Sequence, residues 1–328
     1  MLDYEWKYPV LSLNDNISAT LGKILKDKSH LFRNLKKQKC SNLLKSQINI
    51  CDERGWRGQV MCEYDENTNE VTLSASFCQM VWLLCYVALA EEDYRITEEE
   101  FSKFPYLAKI KELAIVSWMY KHFPKKLHEK ERYIHVMRKT YEGGKHIEAV
   151  ALASLIASHK PVDEEIAKRL EALFEKNDFC CMVNSLYLYA VCFYLLHEYG
   201  HYVLGGESLD ELMEEYAADA ESENLLLKKT GNYYLKSSMY GMTAGLCCLM
   251  FFSLKNDTHP DTDLRLKAVL ERFPVTDNFR RKNAGMILTF LRAWSVWKGL
   301  DDFPKREEEN LEALDRAFDY IEKYKKQL

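Results

Sequence analysis

Hydrophobic and polar positions follow two periods along this chain, and the change between them separates a short N-terminal lobe from a helical body. Gln59–Tyr64 and Glu70–Ala75 flank Asp65-Glu-Asn-Thr-Asn69, a run of turn formers, and this pattern predicts a β-hairpin. From about residue 76 the spacing becomes helical: Ser76–Leu89 is an apolar helix, and segments near 97–121, 128–141, 146–158 and 163–176 follow. Pro124, Gly143-Gly144 and Pro161 punctuate them. Asn184–Leu204 is apolar on nearly every side and stops at Gly205-Gly206, which predicts a helix at the centre of the molecule. Ser208-Leu-Asp-Glu211 then has the form of a capping box, Ser208 capping and Glu211 reaching back, and opens a helix to about Lys229. Further helices are predicted near 234–254, 262–273, 278–298 and 306–326, the last charged, with a Leu and Phe stripe facing inward. The first 45 or so residues are polar and mixed, and their lysine-rich patch at Arg33–Lys39 reads as a solvated helix face. No repeat or linker interrupts the sequence. The reading is one mainly α (α+β) domain over residues 1–328, with an N-terminal lobe at 1–75 and a helical part at 76–328.

Composition narrows the function classes. A net charge of −5 makes no electrostatic case for nucleic acid as a partner. The 13 glycines and 7 prolines are few, in keeping with a helix-rich fold. The ten cysteines form no CxxC pair and sit mostly among apolar neighbours, as reduced thiols of a cytoplasmic protein do. The N-terminus lacks a basic start followed by an apolar run, so no secretory signal is expected. Met242–Leu254, read as the most apolar stretch, is shorter than the roughly 18–20 residues a bilayer crossing needs. The expectation is a cytoplasmic chain with no stable membrane span.

The chemistry concentrates at His197-Glu-Tyr-Gly-His201. On a helix, histidines four apart share a face and can bind one Zn²⁺, with Glu198 beside them to take a proton from the attacking water. A short pattern like this arises by accident on polar surface helices, and an inert buried His/Glu cluster is the competing interpretation. Here it lies in the most apolar helix, is followed by a break, and precedes a second helix with Glu215 and Asp219 four apart on one stripe. Buried acids need partners. A metal ligand at Glu215 and, at Asp219, a carboxylate orienting a ligand histidine would account for both. Glu211 and Glu214 compete as third ligand, but Glu211 is better used in the cap, and Glu214 lies about 100° round the helix, toward solvent. The small Ala217 and Ala218 allow the two helices to approach closely.

These motifs resemble the gluzincin metallopeptidases, whose pattern is HExxH on one helix and ExxxD or ExxAD on the next. Thr258-His259-Pro260, with Arg265 in the following helix, resembles a His-Pro…Arg element found in several HExxH peptidases. The hairpin entering a long apolar helix through NEVTLSASFCQMVW is similar to the bacterial phage-exclusion peptidases of the Lit type. The likeness spans roughly residues 60–90 and 184–273.

The resemblance implies a zincin-like helical domain in which His197, His201 and Glu215 hold Zn²⁺. Glu198 would be general base and then proton donor, and Asp219 would fix the tautomer of a ligand histidine, His201 by preference. His259 is the first candidate for the donor to the oxyanion, with Tyr233 or Tyr234 as alternatives. Read without the resemblance, His259-Pro260 is a helix entry in which Arg265 pairs with an acid. An extended substrate would pair with an edge strand, for which the 59–75 hairpin is the candidate; a purely structural hairpin is the alternative. The function implied is a cytoplasmic zinc endopeptidase acting on a protein or peptide substrate. Narrow specificity, a trigger or a regulatory partner would restrain it, and phage defence or a toxin-type role fits. The alternatives are a zincin-fold regulator without turnover and a structural zinc staple.

Overall fold

The structure, a computed structural model, describes residues 7–26, 47–51, 62–102, 144–157, 162–204, 210–227, 232–252, 259–272, 277–300, 303 and 310–327. The predicted helices near 97–121 and 128–141 lie outside these residues, apart from the start of the first. The Arg33–Lys39 patch and Ser208 lie outside them too.

After a 3-10 turn at Pro9–Leu13 and α1 (Asn14–Lys26), three short strands form one sheet: β1 (Gln47–Cys51), β2 (Cys62–Asp65) and β3 (Glu70–Ser74). β2 and β3 are the antiparallel hairpin read from the sequence. Asp65 Oδ1 accepts the amide of Asn67 at 2.8 Å, and Asn69 takes φ 56°, a left-handed conformation that asparagine tolerates. β1 pairs with β3 in parallel, in the order β1-β3-β2. Its sequence, QINIC, is too short and mixed to declare itself without its partner.

β3 runs directly into α2 (Ala75–Ser102), where Ser74 Oγ accepts the amide of Phe77. The sequence reading split this helix after Leu89. No glycine or proline interrupts it, and it continues as one. α3 (Lys145–Ala157) and α4 (Glu164–Leu173) follow, α4 capped by Asp163 at 2.9 Å.

α5 (Asp178–Leu204) begins earlier than its apolar pattern suggested, because Asn177 Oδ1 caps it by accepting the amide of Cys180. By length and composition it, rather than 242–254, could cross a membrane, yet 67% of its apolar window is buried within the molecule. Around it pack α2, α6 (Glu211–Leu227) and α7 (Asn232–Leu249). A Cβ on Gly241 of α7 would meet Tyr189 Cβ at 2.1 Å, so only glycine allows that approach. Trp82 Nε1 donates to Asn184 Oδ1 at 2.7 Å and ties α2 to α5. α8 (Thr262–Arg272), α9 (Asp277–Trp297) and α10 (Asn310–Lys325) complete the described residues. The fold is mainly α with a small N-terminal sheet, as the sequence pattern predicted.

Candidate metal centre

α6 starts at Glu211, and Ser208 of the capping box read in the sequence lies outside the described residues. Asp210 Oδ1 accepts the amide of Met213 at 2.8 Å and is the cap, and Glu211 is the first helical residue, exposed. α6 then runs back antiparallel along the last turns of α5. At the crossing, a Cβ on Gly200 would lie 2.8 Å from Ala218 Cα and 3.0 Å from its carbonyl oxygen, so the two backbones touch. This contact turns His197 and His201 toward Glu215 and Asp219.

His197 Nε2 lies 3.2 Å from Glu215 Oε2, and His201 Nε2 lies 3.3 Å from Glu215 Oε1. The two Nε2 atoms are 3.1 Å apart. His197 Nδ1 meets Asp219 Oδ1 at 3.0 Å, and His201 Nδ1 meets Glu214 Oε1 at 3.2 Å. Asp219 therefore orients His197, not His201, because in an antiparallel pair the later residue of α6 faces the earlier one of α5. Glu214, read as solvent-facing, orients His201. The two ring nitrogens point apart, and the one turned from Glu215 reaches the rim, where Glu214 stands half-exposed.

A carboxylate at each Nδ1 places the protons there, leaving two Nε2 lone pairs facing one another and Glu215. Such a cluster calls for a cation. One ligand atom from each of His197, His201 and Glu215 lies within 4.8 Å of the others, and the separations resemble the roughly 3.3 Å edges of a tetrahedron with bonds of about 2.0 Å. The donor set fits a divalent metal and is compatible with zinc. Without one, a proton serves: burial opposes charge on His197, but bonds to Asp219 and Glu215 raise its pKa to about 9. Burial would likewise raise Glu215 and Asp219. Glu215 is instead held well below the usual carboxylate range by the two imidazoles, and Asp219 by Arg265 and His197.

Arg265 of α8 is the acid-pairing residue anticipated after His259-Pro260, and its acid is Asp219, met at 2.8 Å through Nε and 2.7 Å through Nη2. Arg265 Nη2 also comes within 3.4 Å of His197 Nδ1. Sequence reasoning did not identify this partner, although a buried acid beside a histidine implies a cation nearby. His259 Nε2 lies 3.2 Å from Glu215 Oε1, its side chain 46% exposed, so it stands at the open side of the cluster. The side chains of Tyr233 and Tyr234 lie outside the described residues.

Glu198 is on α5 beside the two histidines. Burial pushes its pKa up, with the imidazoles pulling the other way. β2 packs on this end of α5: the Tyr64 and Tyr202 rings meet edge to face at 5.1 Å, and burial and the Glu198 charge both push the Cys62 thiol up. Among the described residues β2 pairs only with β3 and lies at the edge of the described sheet.

Residues 71–284 match the family model described as Peptidase U49. Comparison with curated proteins and with solved structures gives no match. The matched stretch covers most of the chain and holds every residue of the centre, from His197 to Arg265, and on that ground the chain belongs to the Peptidase U49 family.

Proposed function

We propose that this peptidase is a zinc-dependent endopeptidase of the gluzincin type, with His197, His201 and Glu215 as ligands. The observation that carries this reading is the pair of Nε2 atoms 3.1 Å apart, each bordered by Glu215 and each backed by a carboxylate on its Nδ1. Zinc held there supplies Lewis acidity, lowering the pKa of a water and polarising the scissile carbonyl. Glu198 takes the proton from the attacking water and passes it to the leaving amine. Its raised pKa suits it to both halves of that transfer. His259 donates to the oxyanion from the open side of the cluster. The substrate is an extended segment of an intracellular protein that adds to the β2 edge beside Glu198. The resemblance to the Lit type supports a triggered role in phage defence, in the cytoplasm.

The test compares new peptide termini in a host lysate for wild type and Glu198→Gln, with zinc content measured in both. Glu198→Gln is expected to retain zinc and fold while cleavage falls by about 10²–10⁴. Full cleavage by the variant removes Glu198 as general base. Zinc without cleavage by wild type supports a regulator without turnover instead.

A further inference from the structure

The last helix reaches the metal centre through one buried lysine. Lys325 closes α10 with its side chain only 8% exposed, and a buried ammonium needs paired charge. Its Nζ donates to Asp261 Oδ2 at 2.8 Å and to Asp263 Oδ1 at 2.7 Å. These acids form the start of α8: the Asp261 carbonyl accepts the amides of Leu264 and Arg265, and Asp263 lies in the first turn. A cation at a helix N-terminus is opposed by the helix dipole, so stabilising α8 as an isolated helix does not account for the lysine. Its partners lie between the two residues of this segment that touch the centre. His259 and Arg265 contact Glu215 and Asp219, while Asp261 and Asp263, between them in sequence, turn to Lys325.

We infer that Lys325 is a positioning residue: held between Asp261 and Asp263, it fixes the start of α8 so that His259 and Arg265 stay seated on Glu215 and Asp219. α10 lies beyond the stretch that matches the family model. The inference rests on the metal reading above only for its effect on zinc, and stands on the ion pairs for the rest. Release of Lys325 lets the first turn of α8 open, loosens Arg265 on Asp219, and with it the orientation of His197. Loss of such an outer partner weakens metal binding by roughly ten- to a hundredfold.

The experiment uses the full chain as wild type, Lys325→Met, Lys325→Arg and Lys326→Met. The last is a control on an exposed lysine paired with Glu322 one turn away. Hydrogen exchange is followed at Leu264–Leu266 in metal-free protein, and the zinc dissociation constant is measured by competition with a chelator. Lys325→Met is expected to exchange faster at these amides and to bind zinc roughly ten- to a hundredfold more weakly. Lys325→Arg should restore both, and Lys326→Met should change neither. Unchanged exchange in Lys325→Met overturns the brace. Faster exchange with wild-type zinc affinity overturns its coupling to the centre. A wild type that binds no zinc overturns the metal reading, and the exchange result then decides the brace alone. Should Lys325→Met fail to fold, Asp261→Asn removes one of the two carboxylates from a less buried position and gives the same comparison.

Discussion

Gly200, the fourth residue of the histidine motif, carries a prediction with an unusual sign. An alanine in an ordinary helix interior is about 1 kcal/mol more favourable than glycine. At this position the added Cβ would sit 2.8 Å from Ala218 Cα, 3.0 Å from its oxygen and 3.1 Å from its Cβ. Carbon contacts settle at about 3.5–4.0 Å, so α5 and α6 must part by roughly 0.7–1.2 Å. Overpacking of this kind costs about 1–3 kcal/mol, which leaves a net loss of up to about 2 kcal/mol after the propensity gain. The centre is more sensitive than the fold. The proposed ligands come from both helices, and metal–ligand bonds tolerate only about 0.2 Å. Gly200→Ala should therefore bind zinc at least tenfold more weakly by chelator competition, while urea unfolding of the metal-free protein shows a smaller loss. A variant that binds zinc as wild type does, and gains the stability of an ordinary glycine-to-alanine change, refutes the close contact.

The partners of the two histidines can be told apart. Asp219→Asn removes the nearest charge partner of buried Arg265 and leaves it Glu215 at 3.8 Å, so it should lower the unfolding free energy by up to about 3–5 kcal/mol; a change within error would count against that ion pair. Glu214→Gln, at the rim, should weaken zinc binding and leave urea unfolding nearly unchanged, and a large stability loss would contradict the half-exposed position of Glu214. Because the folded pKa of His197 is raised from 6.5 to about 9, its contribution to metal-free stability is complete below pH 6.5 and is lost as pH climbs to 9. Zinc must displace that proton, so zinc affinity should rise over the same range, and the zinc-loaded protein should not share the loss of stability. Urea midpoints and chelator titrations between pH 6.5 and 9 check both signs, and a flat metal-free profile would refute the proton's place on His197.

What was legible in the sequence was local. Histidines four apart fall on one helical face whatever the rest of the chain does, and the same periodicity puts Glu215 and Asp219 on one stripe. The β2–β3 hairpin could be read because its turn residues carry their own conformational preferences, seen at Asp65 and Asn69. β1 could not, since a parallel neighbour is chosen by contacts distant in sequence. The pattern offered several polar residues before α6, and the bond from the Met213 amide marks Asp210 as its cap.

By itself, then, the sequence determined the helical framework and the residues able to hold a metal, since both follow from backbone periodicity and side-chain chemistry. Only the tertiary structure decided how those residues are paired. The antiparallel contact at Gly200 and Ala218 assigns Asp219 to His197 and Glu214 to His201. The packing of α8 and α10 brings Arg265 onto Asp219 and Lys325 onto Asp261 and Asp263. Each of these is a contact between groups far apart along the chain, and its geometry exists only once the helices have packed.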